Sequence, residues 1–215
     1  MPFCDRSIDL AVLTHPHADH LTGLLEVLRR YNVGQVLYPP SEGNSPLYDE
    51  WVRFIGEAGT KSTVARTGQQ LDLGDGVIIE VIWPRATPLT GTDDDVHNNC
   101  VVLLLKVGKV NFLLTGDSTS TAEWELIRSR ADIKGTILKV AHHGSKTATT
   151  PQFLAVVDPQ AAVISVGAGN SYNLPNQAIV ERLGEKIGQE YVYETDKNGT
   201  ITFITDGERL WVESE

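Results

Sequence analysis

Cysteine is nearly absent from this chain of 215 residues: Cys4 and Cys100 are the only two, far apart and in no CxxC spacing. That excludes a disulfide framework and a thiolate zinc site, and both thiols are expected to be reduced and structural. Apolar runs of the roughly 20 residues needed to cross a bilayer are also missing. The start, Met1-Pro2-Phe3-Cys4-Asp5-Arg6, lacks the apolar middle of a signal peptide, so the chain as written is expected to be soluble. Positive charge is in deficit, with 18 Lys and Arg against 28 Asp and Glu and a formal net charge of −10 with histidine neutral. Such a surface offers no broad attraction to a nucleic-acid backbone, so any contact of that kind has to be local. Gly116-Asp117-Ser118 is no GxSxG elbow, and Gly167-Ala168-Gly169 lacks the third glycine of a dinucleotide loop. The remaining composition, 41% hydrophobic and 21% charged, is that of a globular chain, read as one domain over residues 1–215.

Histidine carries the strongest signal. All six fall at three places: His15, His17 and His20 together, His97 alone, and His142 beside His143. The first cluster, His15-Pro16-His17-Ala18-Asp19-His20, follows the apolar run Ile8 to Leu13 and precedes Leu21, Leu24, Leu25 and Leu28, the stripe of one buried helix face. It therefore occupies a strand-to-helix loop. Residues two apart in extended backbone point the same way, so His15 and His17 can share one metal ion. Asp19 and His20 follow where the chain turns into the helix and can serve a second ion nearby.

Two later strands end in the same manner. Val110 to Thr115 runs into Gly116-Asp117, and Thr136 to Ala141 runs into His142-His143-Gly144-Ser145. Asp117 is suited to bridge two cations through its two oxygens, with helix N-cap as its plainer alternative role. His142 is assigned as a further ligand and His143 as a catalytic group, although the order of the two stays open, because neighbours on a strand point oppositely and the strand can end between them. Two metals in such a site lower the pKa of a bound water toward neutrality and so prepare it for metal-assisted hydrolysis. The ligand set is thus His15, His17, Asp19, His20, Asp117 and His142, with Asp19 also catalytic. His143 and Asn98 are the other catalytic candidates, and Ser145 and Asn99 are set against phosphate. Zinc suits the imidazoles and manganese is the alternative, since two carboxylates share the site.

With these residues assembled the chain resembles the metallo-β-lactamase superfamily: HxHxDH at 15–20, Gly-Asp ending a strand at 116–117, and a late strand ending in His. More narrowly it is similar to the metallo-β-lactamase-like domain of ComEC-type DNA internalization-related competence proteins. The segments that carry this are Leu138-Lys139-Val140-Ala141-His142-His143-Gly144-Ser145 and Ile164-Ser165-Val166-Gly167 followed by Asn170-Ser171-Tyr172-Asn173-Leu174-Pro175. The resemblance implies an αβ/βα sandwich of the α/β class with a two-metal site, and Tyr172 joins the substrate contacts. It also implies a nuclease-like phosphodiesterase linked to DNA uptake, cytoplasmic or attached to a membrane channel region that this chain does not contain. Three departures stand out. Leu174 occupies a position where the family usually has His, Cys100 one where it has Ser, and the strand pair that normally opens the domain is not in the sequence. The chain is accordingly expected to be a fragment, a misassigned start or half of a split protein. Two rival functions are a stand-alone hydrolase of small phosphodiesters or lactones, and a non-catalytic remnant or interaction module.

Read coarsely, the elements alternate: strand 8–13, helix 20–31, strand 35–38, helix 46–57, strands 62–66, 77–82, 99–107 and 110–115, helix 119–130, strand 136–141, helix 150–157, strand 161–166, helix 176–187 and strands 191–195, 200–205 and 208–213. Asp196-Lys197-Asn198-Gly199 and Asp206-Gly207 read as hairpin turns, and Thr87 to Asp95 as a mobile loop. Trp51 and Leu47 read as core, and Cys100 as simply buried. Lys139, Lys146 and Lys197 are available to phosphate, though a solvated surface is the commoner place for lysine.

Overall fold

Alternation of apolar strands with amphipathic helices becomes, in the computed structural model, two sheets packed face to face with helices outside each. The structure describes residues 5–57 and 59–215, so Cys4 lies outside the described residues. Strands β1 (Ser7–Val12), β2 (Asn32–Tyr38) and β3 (Lys61–Val64) form a parallel sheet with β2 in the middle. Helices α1 (Ala18–Arg30) and α2 (Pro46–Glu57) connect them. Leu21 and Leu25 of α1 and Trp51 of α2 pack on Leu13, Val33 and Val36, which covers the outer face of this sheet.

The larger sheet holds β4 (Gln70–Asp72), β5 (Val77–Trp83), β6 (Val102–Val107), β7 (Val110–Leu114), β8 (Ile137–Lys139), β9 (Ala161–Ile164) and β10 (Val192–Glu194), in the spatial order β10-β9-β8-β7-β6-β5-β4. Strands β4 to β7 are antiparallel and β7 to β10 parallel. A single turn, α3 (Asp95–Asn98), precedes β6, and α4 (Ser120–Ser129), α5 (Pro151–Val157) and α6 (Gln177–Ile187) follow. The run Val101 to Leu104 shows why the strand is apolar throughout. Val102 and Leu104 join Leu113, Leu126, Phe153, Leu154 and Leu183 under these helices, while Val101 and Leu103 meet Leu37, Ala65 and Val81 between the sheets. A strand buried on both faces loses the alternation of a half-exposed one. The layers are helix, sheet, sheet, helix, the αβ/βα sandwich that the resemblance implies.

Helix 46–57 and the Asp206-Gly207 hairpin fall where expected, the latter joining β11 (Ile201–Thr205) to β12 (Leu210–Ser214). Three expectations are corrected. Asp196 to Gly199 is no hairpin turn. Thr195–Asn198 winds one turn of helix, α7, held by Asn198 Oδ1 accepting from Glu194 N, and β10 pairs in parallel with β9 instead of with β11. The strand placed at 99–107 begins at Val102 because residues 95–98 are helical. The segment 87–95 is pinned: Asp95 accepts from Gly91 N and Thr92 N, and the Asn99 side chain bonds both the N–H and the carbonyl of Leu89.

Two of the three candidate phosphate lysines face elsewhere. Lys139 lines a cavity of about 770 Å³ between β1 and the larger sheet, walled by Ile8, Leu10, Val12, Leu103 and Leu114. Lys197 is paired with Glu194. Lys146 alone is exposed without an ion pair among the described residues.

Candidate metal centre

Every ligand-type side chain predicted from the sequence arrives at one edge of the sandwich, because β1, β7 and β8 all end there. Gly116 makes the turn at the end of β7 with a φ of +53°, and a Cβ on it would lie 3.1 Å from Thr14 Cβ and 3.2 Å from Cys100 Sγ. Only glycine meets both demands, and Asp117 is thereby set into the gap between the sheets, 2% exposed. The Thr14 carbonyl accepts from Val101 N, which ties the histidine loop of the small sheet to the large one.

The donor atoms form three overlapping groups, each with its atoms within 4.8 Å of one another: His15, His17 and His97; Asp19, His20, Asp117 and His143; and His97, Asp117 and His142. Asp117 Oδ2 is 3.2 Å from His143 Nε2 and its Oδ1 is 3.4 Å from His20 Nε2, while His15 Nε2 lies 4.0 Å away. Asp19, exposed at the mouth, is 3.5 Å from both His20 Nε2 and His143 Nε2. The cleft, about 390 Å³, is lined by His17, Asp19, His97, Asp117, His142 and His143, with Tyr172 and Leu174 at its rim.

The outward nitrogens are spoken for, which turns the others inward. Thr14 Oγ1 sits 3.1 Å from His15 Nδ1 and 3.3 Å from His20 Nδ1, and His143 Nδ1 donates to the Ser165 carbonyl at 2.7 Å. A carbonyl only accepts, so His143 carries its proton on Nδ1 when neutral and presents an Nε2 lone pair to the cleft. Burial, reinforced by the neighbouring His20, pushes the His15 pKa down to about 2, and burial likewise lowers His17 and His142. These rings are neutral at ordinary pH, the state a metal requires. Burial opposes ionisation of Asp117, but hydrogen bonds from His143 and His20 outweigh it and hold the carboxyl well below the usual carboxylate range. His143 is raised in return, chiefly by its bond to Asp117. His15 Nε2 is buried with no hydrogen-bond partner among the described residues, and His20 Nε2 faces His143 Nε2 at 3.3 Å. A buried ring nitrogen without a donor, among several nitrogens and a carboxylate, fits a divalent cation.

The His142 and His143 question has a backbone answer. Both residues are left-handed, φ +49° and +53°, in a short 3-10 turn after β8. On a strand the two rings would point to opposite faces; two successive left-handed residues bring both into the cleft.

Sequence reasoning gives His97 no role, yet it belongs to two of the three groups. A local signal existed: Asp94 stands three residues before it and caps α3, accepting from His97 N. Asn98 and Asn99 do not reach the cleft. The Asn98 amide donates to Thr92 Oγ1 and accepts from the Thr119 hydroxyl, and the Asn99 amide holds Leu89 and the Asp95 carbonyl. Ser145 is one step removed, its hydroxyl 3.0 Å from Thr147 Oγ1, which is 3.3 Å from His142 Nδ1. Tyr172 stands at the mouth, 81% exposed.

The family model described as the metallo-beta-lactamase superfamily matches residues 5–168. The chain belongs to that superfamily. It is 29% identical over 198 residues to ComE operon protein 3 of Bacillus subtilis (strain 168), covering 92% of this chain and 25% of that protein. To Recombination protein 2 of Haemophilus influenzae it is 32% identical over 187 residues, covering 85% and 21%, and to competence protein ComA of Neisseria gonorrhoeae 29% over 202 residues, covering 92% and 25%. The chain thus spans about a quarter of the length of these curated relatives. Among solved structures, the metallo-beta-lactamase fold protein YhfI from Bacillus subtilis superposes with a TM-score of 0.53 at 10% identity, covering 96% of this chain and 78% of that one. CmlA, a diiron beta-hydroxylase from Streptomyces venezuelae, gives 0.55 at 14%, covering 88% and 44%. At such identities these two establish the fold.

Proposed function

We propose that this chain is a metal-dependent hydrolase of phosphodiester bonds, a nuclease-like domain linked to DNA uptake. The observation that carries the reading is one buried carboxylate, Asp117, common to the donors Asp19, His20 and His143 on one side and His97 and His142 on the other, with His15 Nε2 4.0 Å from its Oδ2. His15, His17 and His97 would hold one ion, and Asp19, His20 and His143 the other, with His142 flanking the first. Two divalent ions held there, zinc or manganese, would supply Lewis acidity toward a phosphoryl oxygen and a water acidic enough to attack near neutral pH. Around them the protein fixes ring orientations through Thr14 and Ser165 and leaves one mouth, at Asp19 and Tyr172, for the scissile group. Tyr172 offers an exposed ring to a base or other flat leaving group. The link to DNA rests on the competence relatives.

A hydrolase of small phosphodiesters is the second reading. It is favoured by the net charge of −10 and by the engagement of Lys139 and Lys197 away from solvent phosphate. The test is metal content by plasma mass spectrometry on chelator-free protein, followed by hydrolysis of single-stranded DNA, plasmid and bis(p-nitrophenyl) phosphate. We expect about two ions per chain, lost in His17→Ala, and DNA cleavage that falls to background in Asp117→Ala. Cleavage of the small ester alone moves the assignment to the second reading. Less than about half an ion per chain sinks both.

A further inference from the structure

One carboxylate outside the donor groups controls the histidine that sequence reasoning passes over. Asp94 Oδ1 accepts from the His97 backbone N at 3.1 Å, and its Oδ2 meets His97 Nδ1 at 2.5 Å. The same side chain therefore fixes both the main chain and the ring. With a carboxylate as partner the Nδ1 atom carries the proton, and Nε2 presents a lone pair toward His15 and His17, whose ring centroids lie 4.9 and 4.5 Å from that of His97. Capping alone does not require a carboxylate here, since Ser, Thr or Asn caps a helix as well as Asp. What the second oxygen adds is the contact to the ring.

The surrounding loop does not depend on Asp94. Asp95 holds Gly91 and Thr92, Asn98 holds Thr92 and Thr119, and Asn99 holds Leu89. These contacts keep the platform under His97 in place whatever residue stands at 94. We infer that Asp94 is a positioning residue for the first metal site: it sets the tautomer and direction of His97 and so the affinity of the group His15, His17 and His97, leaving the group on the far side of Asp117 untouched. The inference rests on the proposed metal function and deepens it.

Asp94→Ser separates the two tasks of the carboxylate. Serine keeps the cap but is too short to reach the ring, while Asp94→Asn keeps the length and an acceptor without the charge. Metal-free wild type and both variants are titrated with Zn²⁺ by calorimetry and with Co²⁺ by visible absorption, beside urea unfolding of the metal-free proteins. We expect two binding steps in the wild type, one of them weakened about 10–100-fold in Asp94→Ser and less in Asp94→Asn, the other step within about threefold, and an unchanged urea midpoint. Two unaltered steps overturn the inference, as does an equal loss in both steps together with a lowered midpoint, which is the signature of a merely structural residue. If the wild type takes up no metal, the proposed function fails on its own account. The ¹⁵N shifts of the His97 ring then still decide: an Nδ1–H tautomer in the wild type that becomes mixed in Asp94→Ser upholds the positioning role, and the same tautomer in both proteins refutes it.

Discussion

At the scale of single residues, Lys139 places a cation beside a largely apolar cavity, outside the candidate metal centre. The side chain lines that cavity, forms no ion pair among the described residues, and its ammonium makes a 3.5 Å contact to the Val140 carbonyl. Burial lowers its pKa. Between that lowered value and the ordinary one near 10.5, the unfolded chain binds more protons than the folded one, so stability rises with pH through this window. Lys139→Met is expected to raise the unfolding free energy by about 1 kcal/mol near neutral pH, because an unpaired charge is replaced by a chain of similar length. The gain should shrink as pH approaches 10. Urea unfolding at pH 7 and 9.5 measures both effects, and equal midpoints for the two proteins at both values would show that the ammonium is fully solvated.

At the scale of elements, the β11–β12 hairpin depends on Asp206. Its carboxylate accepts from Arg209 N and Glu208 N and pairs with the Arg209 guanidinium, which together bring its pKa down to about 2. A carboxyl with a depressed folded pKa stabilises the fold above its unfolded value near 3.8, and that contribution is lost as pH falls toward 2. Asp206→Asn should therefore flatten the stability profile between about pH 4 and 2 and leave it parallel to wild type above 5, as followed by denaturant unfolding.

This hairpin also marks how far the sequence could be read. Asp206-Gly207 between two alternating runs is a local signal, complete within the turn. Asp196 to Gly199 carries the same composition, but β10 has its partner in β9, thirty residues back, and nothing local reports a parallel pairing of that kind. At the site, HxHxDH and the two strand ends were legible because ligand type and spacing coincide in a few residues. His97 stands alone in a segment without periodicity, and its membership depends on where Asp94 and the α3 turn direct one ring. Asn98 and Asn99, beside it, carry chemistry that looks catalytic in sequence and turns out to frame the loop.

At the scale of the whole molecule, the candidate metal centre is assembled from both halves of the sandwich. His15, His17, Asp19 and His20 follow β1 of the small sheet, whereas Asp117, His142 and His143 follow β7 and β8 of the large one. Adding Zn²⁺ at about 100 times its Kd to metal-free protein is expected to contribute about 2.7 kcal/mol per site, which for a chain of this size moves Tm upward by about 5–10 °C. Calorimetry with and without a chelator tests this, and an unchanged Tm would mean that the donors are not organised to bind.

The placement of Asp117 has a consequence for topology. His20 and His143 are 123 positions apart in sequence, yet their nitrogens approach within 3.3 Å across the seam between the sheets. An ion gripping both would close a loop of more than a hundred residues, as a disulfide of that span does in chains rich in cysteine, where such a cross-link contributes about 5 kcal/mol in the chain-entropy estimate. In a protein with almost no cysteine, the hydrolytic centre and the staple that keeps the two halves of the sandwich from parting would then be the same object.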